Sequence, residues 1–336
     1  MTTEHERLER LVAGEGRPEA ALMEDANPDR RRFIGGSDMA AVMGYGATYD
    51  GTQDTPYKVY IRKTGEAREE MDPAKKRFLE RRKRWEPVIV QMLREEFDAE
   101  IVAVNRRYVD PELDFLAAEI DFEWRDADGT IQNGEIKTVS PFSFGERQGW
   151  GEAGSGDIPI HYEAQVQHGL GVLGRRVCAV AAMVGLDSMI FYRVARDDEV
   201  IHEMRKRAAL FWRESVLAKK PPEAMTLGDL RGLYGKSTPG LSVEGTSEVG
   251  SKALRLRAVR GRIEAYELER DALEFDVKLA MREAEALTVD GRKVFTWKEQ
   301  DFGMLDQPAL KEGDKEIWRK YFRKGRRRVF KGASWS

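Results

Sequence analysis

The feature that most restricts how this chain can fold is a pair of β-favouring runs that carry charge where charge is expensive. Asp121 lies in "AAEIDFEW", and Glu135 and Lys137 lie in "NGEIKTVSP". Between them, "RDADGTIQ" contains Asp128-Gly129, a two-residue hairpin signal. The segment is expected to form two adjacent antiparallel strands, with Glu135 and Lys137 two residues apart and so on one face. Unpaired charge in apolar surroundings is costly and calls for a partner or a metal. Two carboxylates and an ammonium brought to one point suit a hard divalent cation and a phosphate. Isolated on a strand, the same residues would be an ordinary solvated face, so the downstream sequence decides.

Downstream, "HYEAQVQHGLGVLG" reads as a helix from about Pro159 to Leu173, followed by a strand in "RRVCAVAAMV". Strand, strand, helix, strand around D…E-x-K is the core of the PD-(D/E)XK nuclease fold, an α/β class with a small mixed sheet flanked by helices. Other segments widen the likeness. "RRRFIGGSDMAAVMG", "RWEPVIVQML", Asp121, Glu135-Ile136-Lys137 and the Gln165/Gln167 pair follow in that order between about Arg30 and Leu217. Together they resemble the YqaJ-like viral recombinase nucleases, relatives of phage lambda exonuclease. The chain departs from that family in three places. Arg82 stands where a glycine is usual, no proline precedes Asp121, and Pro87 follows Glu86 directly. A proline biases the residue before it away from helical geometry, so a kink or restart is expected at Glu86.

The resemblance implies a metal held by Asp121, Glu135 and the Ile136 carbonyl. Lys137 would then position and help deprotonate the attacking water, with Gln165 and Glu86 holding the water or the lysine. It also implies a 5′-phosphate pocket at Arg32 and Ser37, where Gly35 and Gly36 admit an anion and Ser37 is expected to cap the next helix. Gln167, two residues from Gln165, is expected on the opposite side of the helix, facing solvent or DNA. His161 and His168 lack metal-ligand spacing and read as structural or peripheral. Arg82 and Lys83, from the basic run at 75–85, would share the face of Glu86 and follow a phosphate backbone. A second run, "RKYFRKGRRRVFK", includes Arg326, Arg327 and Arg328 and combines eight basic residues with three aromatic rings and no acid, which suits phosphates and stacked bases.

The activity implied is a Mg²⁺-dependent (or Mn²⁺-dependent) 5′→3′ exonuclease acting on double-stranded DNA ends. It would leave 3′ single strands for an annealing protein as partner. Analogy adds a homotrimeric ring. Two other classes fit the residues: a structure-specific endonuclease or resolvase on the same fold, and a non-catalytic DNA-binding or assembly protein.

Composition narrows the rest. A net charge of −3 with 34% charged residues excludes a globally cationic surface, so DNA contact must come from local patches. The single cysteine, Cys178, excludes a disulfide framework and a four-cysteine cluster. No signal segment or apolar run long enough for a membrane span is visible, and the expected location is cytoplasmic. Residues 1–29 read as an N-terminal segment and 30–222 as the nuclease domain. Residues 223–250 read as a linker. An accessory module over 251–336 opens with a long helix to about 288 that carries a coiled-coil-like stripe.

Overall fold

The hairpin anticipated around Asp128-Gly129 is the centre of the first of two units, Met1–Leu233 and Tyr234–Ser336, into which the chain divides. The computed structural model describes residues 19–23, 29–49, 52–65, 73–300 and 305–322. In the first unit the main strands are β1 (Ala21–Leu22), β4 (Ile101–Val109), β5 (Ala117–Arg125), β6 (Ile131–Val139), β7 (Val177–Val184) and β8 (Ser188–Ala195). They form one sheet in the order β1-β4-β5-β6-β7-β8, while β2 (Thr48–Tyr49) and β3 (Thr52–Gln53) pair separately. All sheet pairs are antiparallel except β6–β7. A parallel pair needs a crossover, and helix Ile160–Leu173 supplies it.

Among the described residues five further helices belong to this unit. They are α1 (Gly36–Val42), α2 (Pro56–Thr64), α3 (Pro73–Glu96), α5 (Asp198–Phe211) and α6 (Leu227–Leu233), the crossover being α4. After α5 a π-helical turn spans Trp212–Leu217. Strand β7 shows why the sheet is covered on both sides. Cys178, Val180 and Ala182 pack with Val166 and Leu170 of α4, whereas Ala181 and Met183 pack with Ile89, Val90 and Leu93 of α3. A strand buried on both faces reads as a continuous apolar run, as "VCAVAAMV" does. A third cluster joins Met39, Ala40 and Ala41 of α1 to Leu116, Ile120 and Ala164.

Helix α3 runs unbroken through Pro87, contrary to the expected kink at Glu86. Pro87 is exposed, whereas Ile89, Val90 and Leu93 are buried. Burial of that apolar face offsets the hydrogen bond to the Lys83 carbonyl that proline cannot make. The segment expected as a linker also begins later than Pro222. Asp229 of α6 is buried, accepts from Thr55 Oγ1 at 2.9 Å, and caps its own helix through the Met225 and Thr226 amides.

In the second unit, α7 (Ser247–Met281) is followed by the hairpin β9 (Ala286–Val289) and β10 (Arg292–Thr296), then α8 (Gln307–Gly313) and α9 (Lys315–Tyr321). The long helix therefore ends before 288, and the sequence beyond it turns into a strand. Asp290 and Gly291, with φ of 50° and 75°, form the turn. Among the described residues no helix is long and apolar enough to cross a membrane.

Candidate active site

Asp121 sits at a break in the sheet. The β5–β6 ladder reaches Phe122↔Gly134 and stops, and the β4–β5 register passes from Val104↔Phe122 to Arg106↔Ile120 with no pair at the level between. Asn105, on β4 at that level, takes a φ of 51°, a left-handed conformation that asparagine tolerates better than most residues. Residues two apart share a face on a regular strand, yet Ile120 joins the α1/α4 cluster and Phe122 the α3 cluster. The strand turns over at Asp121. Its Oδ2 takes the Ile136 amide at 2.8 Å, so a side chain replaces the missing ladder bond. Gly134 permits the approach, because a Cβ there would lie 2.2 Å from the Phe122 ring.

Glu135 and Lys137 project from β6 toward α4. Lys137 Nζ donates to Glu135 Oε1 at 2.6 Å and to Gln165 Oε1 at 2.8 Å, and Gln165 Nε2 donates to Glu135 Oε1 at 2.6 Å. The ammonium also lies 4.7 Å from the Tyr162 ring centroid. The three polar groups thus close a triangle. Gly36 holds one corner, since a Cβ there would stand 2.6 Å from Gln165 Cγ. Burial and then the Glu135 carboxylate push the Asp121 carboxyl well above the ordinary range. Burial works against the Lys137 charge, but Glu135 and Asp121 outweigh it and hold the lysine above its usual value. Glu86, from α3, is raised by burial, with Lys83 opposing and Glu119 and Glu135 adding to it.

Asp121, Glu135, Lys137, Gln165, Glu86 and Gly36 line a cavity of about 390 Å³, together with Ser37, Lys83, Ile136 and two cations that the motifs did not indicate, Arg30 and Arg107. Arg107 donates to Glu119 at 2.7 Å. Several expected contributors stand elsewhere. Arg32 is exposed in the 3₁₀ turn Arg30–Arg32 and does not line the cavity, so Arg30 takes that place. Ser37 lines the cavity but does not cap α1: Gly35 is the N-cap, and its amide donates to Asp38 at 3.3 Å. Asp38 is buried in an ion pair with Lys63 at 2.5 Å. Arg82 lies against the Phe78 ring at 4.7 Å, outside the cavity lining. Gln167 faces neither solvent nor DNA; it is buried, donating to the Ala195 carbonyl at 2.8 Å and accepting from the Asp197 amide at 3.0 Å. His168 is buried on the Ala117 carbonyl at 2.9 Å, and His161 packs on Tyr162. Arg326, Arg327 and Arg328 lie outside the described residues.

Among the described residues no three His, Cys, Asp or Glu side chains converge into a ready-made metal cage. The donor set nevertheless suits a hard cation that brings waters and substrate oxygens of its own. Among the described residues Asp121 Oδ1 and Glu135 Oε2 accept no hydrogen bond, and burial and the Glu135 carboxylate raise the Asp121 pKa despite the nearby Lys137.

Comparison with known proteins gives this geometry its relatives. The chain is 24% identical over 302 residues to protein YqaJ of Bacillus subtilis (strain 168), covering 87% of this chain and 88% of that protein. By structure it is similar to the alkaline exonuclease LHK-Exo from Laribacter hongkongensis, with 16% identity, 57% of this chain and 91% of that one covered, and a TM-score of 0.38. The LHK-Exo complex with dAMP aligns at 18% identity over the same shares, with a TM-score of 0.37. Residues 27–176, which hold every cavity group named above, match the model of the YqaJ-like viral recombinase domain. Over that segment the chain is similar to the YqaJ-like viral recombinase domain family.

Proposed function

We propose that this chain is a metal-dependent deoxyribonuclease, a 5′→3′ exonuclease acting on double-stranded DNA ends in phage-type recombination. The observation that carries the reading is the closed contact of Glu135, Lys137 and Gln165 beside Asp121 in one cavity. A binding protein gains nothing from burying two carboxylates against one lysine. Asp121, Glu135 and the Ile136 carbonyl are the oxygens that would hold Mg²⁺ or Mn²⁺. When bound, such a cation polarises the scissile phosphate and lowers the pKa of a bound water. Lys137, fixed by Gln165 and Tyr162, presents its ammonium to the attacking water and to the charge that develops on the phosphate. Gln165 keeps the lysine directed to that point. Arg30, Ser37 and the Gly35–Gly36 backbone form the wall of the cavity that would receive a terminal 5′-phosphate. The recombination role follows the family.

End-labelled linear duplex and closed circular DNA, each incubated with Mg²⁺ or with EDTA, test this directly. The expected result is Mg²⁺-dependent shortening of linear duplex from its 5′ ends, with closed circles untouched. Cleaved circles would point to an endonuclease. Intact linear DNA that is still bound would remove the catalytic reading.

A further inference from the structure

Helix α7 is 35 residues long, about 52 Å at 1.5 Å per residue. One of its stripes repeats at three and four residues through Leu256, Val259, Ile263, Tyr266, Arg270 and Leu273. Leu256, Ile263, Tyr266 and Leu273 are 40, 51, 68 and 59% exposed. Such a row of large side chains left open to water is the mark of a helix with a partner. The residues that flank the stripe say which partner. In the N-terminal half they are Arg255, Arg260 and Arg262, and in the C-terminal half Glu267, Glu269 and Asp276.

We propose that α7 pairs antiparallel with α7 of a second copy of this chain, in the register that sets Leu256 against Leu273 of that copy. Each layer then follows from heptad geometry: Val259 meets Arg270, and Ile263 meets Tyr266, every layer occurring twice about a two-fold axis. On the flanks Arg255 meets Asp276, Arg262 meets Glu269 and Arg260 meets Glu267, again each twice. Every flanking pair named is attractive. Arg270, the one charged residue within these layers, holds its neighbour Asp271 at 2.5 Å, so its aliphatic stem can cover Val259 while its charge stays balanced.

The alternatives place like charges together. A parallel pair in register brings Arg255 to Arg260 and Glu269 to Glu274. Sliding the antiparallel pair by one heptad sets Glu267 against Glu267 and Glu269 against Glu269. A second apolar stripe runs along the other side of α7 through Leu254, Leu268 and Phe275. Its own antiparallel pairing brings Arg257 to Lys278 and Glu264 to Asp271. Like charges across a helix pair select against a register even where the apolar seam would accept it. Of these arrangements only the first stripe, antiparallel, brings no like charges together; Glu274 there faces Ala253 and holds Lys278 of its own helix at 2.7 Å.

The full chain, free of DNA, carries the test. Analytical ultracentrifugation at micromolar concentration should show association in even multiples. Arg255→Glu, Arg260→Glu and Arg262→Glu combined should raise the dissociation constant about tenfold or more. Mixing that variant with Glu267→Lys, Glu269→Lys and Asp276→Lys should restore pairing. Orientation is read separately by cysteine cross-linking, with native Cys178 buried and quiet. Oxidising a mixture of Leu256→Cys and Leu273→Cys chains should give cross-linked dimers, while neither variant cross-links alone. A monomeric wild type, an association indifferent to the charge reversals, or cross-linking of each cysteine variant with itself would overturn the proposal.

Discussion

Asp121 is held in the folded protein in a state that disfavours its charge, and this gives the site a measurable signature before any substrate is added. Its folded pKa lies above its unfolded value, so between the two the native state binds the extra proton. Without metal, Asp121 therefore lowers stability at pH 8, and the loss is recovered as pH falls through the raised pKa. Asp121→Asn, whose amide oxygen can still accept from Ile136, is expected to melt higher than wild type at pH 8 in EDTA. The gap should close toward pH 4. Mg²⁺ should raise the melting temperature of wild type and leave the variant unmoved. Cleavage by Asp121→Asn and by Lys137→Ala should each fall about 10²-fold or more at saturating DNA, with near-native binding. Near-wild-type turnover by Lys137→Ala in Mg²⁺ would remove the lysine from the chemistry. At the far wall, Arg30→Ala should narrow any rate advantage of 5′-phosphate over 5′-hydroxyl duplex, whereas Arg32→Ala should leave it intact. The reverse pattern would return the pocket to Arg32.

At the scale of elements, alternation and turn chemistry showed the hairpin, the crossover helix and the strand after it, because each has a local signal. Asp128-Gly129 and the apolar run of β7 are readable one residue at a time. What no local signal carried is the level where β5 turns over, since it depends on Asn105 of a neighbouring strand and on the missing rung beside Gly134. The two cations of the cavity escaped for a similar reason: Arg107 comes from β4, and Arg30 differs from Arg32 only in where a short turn points them. Gln167 misled because a glutamine two residues from a site residue reads as polar surface, while here it ties α4 to the loop after β8. The β9–β10 hairpin, by contrast, had its signal in Asp290-Gly291, masked by an apolar periodicity that continues past the end of α7. Contact between elements also yields a test. Gly36→Ala places a methyl against Gln165 Cγ, so Gln165 must leave Glu135 and Lys137 or α1 must shift. The expected outcome is a folded protein with kcat lowered about tenfold and DNA affinity little changed. Normal kcat would mean that Gln165 does not hold the lysine.

For the whole molecule, the division after Leu233 separates every cavity residue from α7 and the β9–β10 hairpin. A chain ending at Leu233 is expected to fold and to cleave at saturating DNA and low salt. Its binding should be weaker and its solution mass that of a monomer. Ending at Pro222 instead removes Asp229 and leaves the buried Thr55 hydroxyl without its acceptor, though still taking the Lys58 amide, at a cost of about 1–3 kcal/mol. Single-turnover cleavage, salt titration and sedimentation of the two truncations separate these effects. A Leu233 chain that folds and binds normally but does not cut would show that the second unit completes the site.

The sign gradient along α7 has a consequence for how many chains can close into one particle. A seam that matches itself only when reversed has a dyad through its middle, and a dyad consumes chains two at a time. A three-membered ring alone would leave every one of its seams open. Two such rings joined face to face through three dyads would leave none, so the smallest closed assembly that contains both a threefold axis and this helix pairing has six chains.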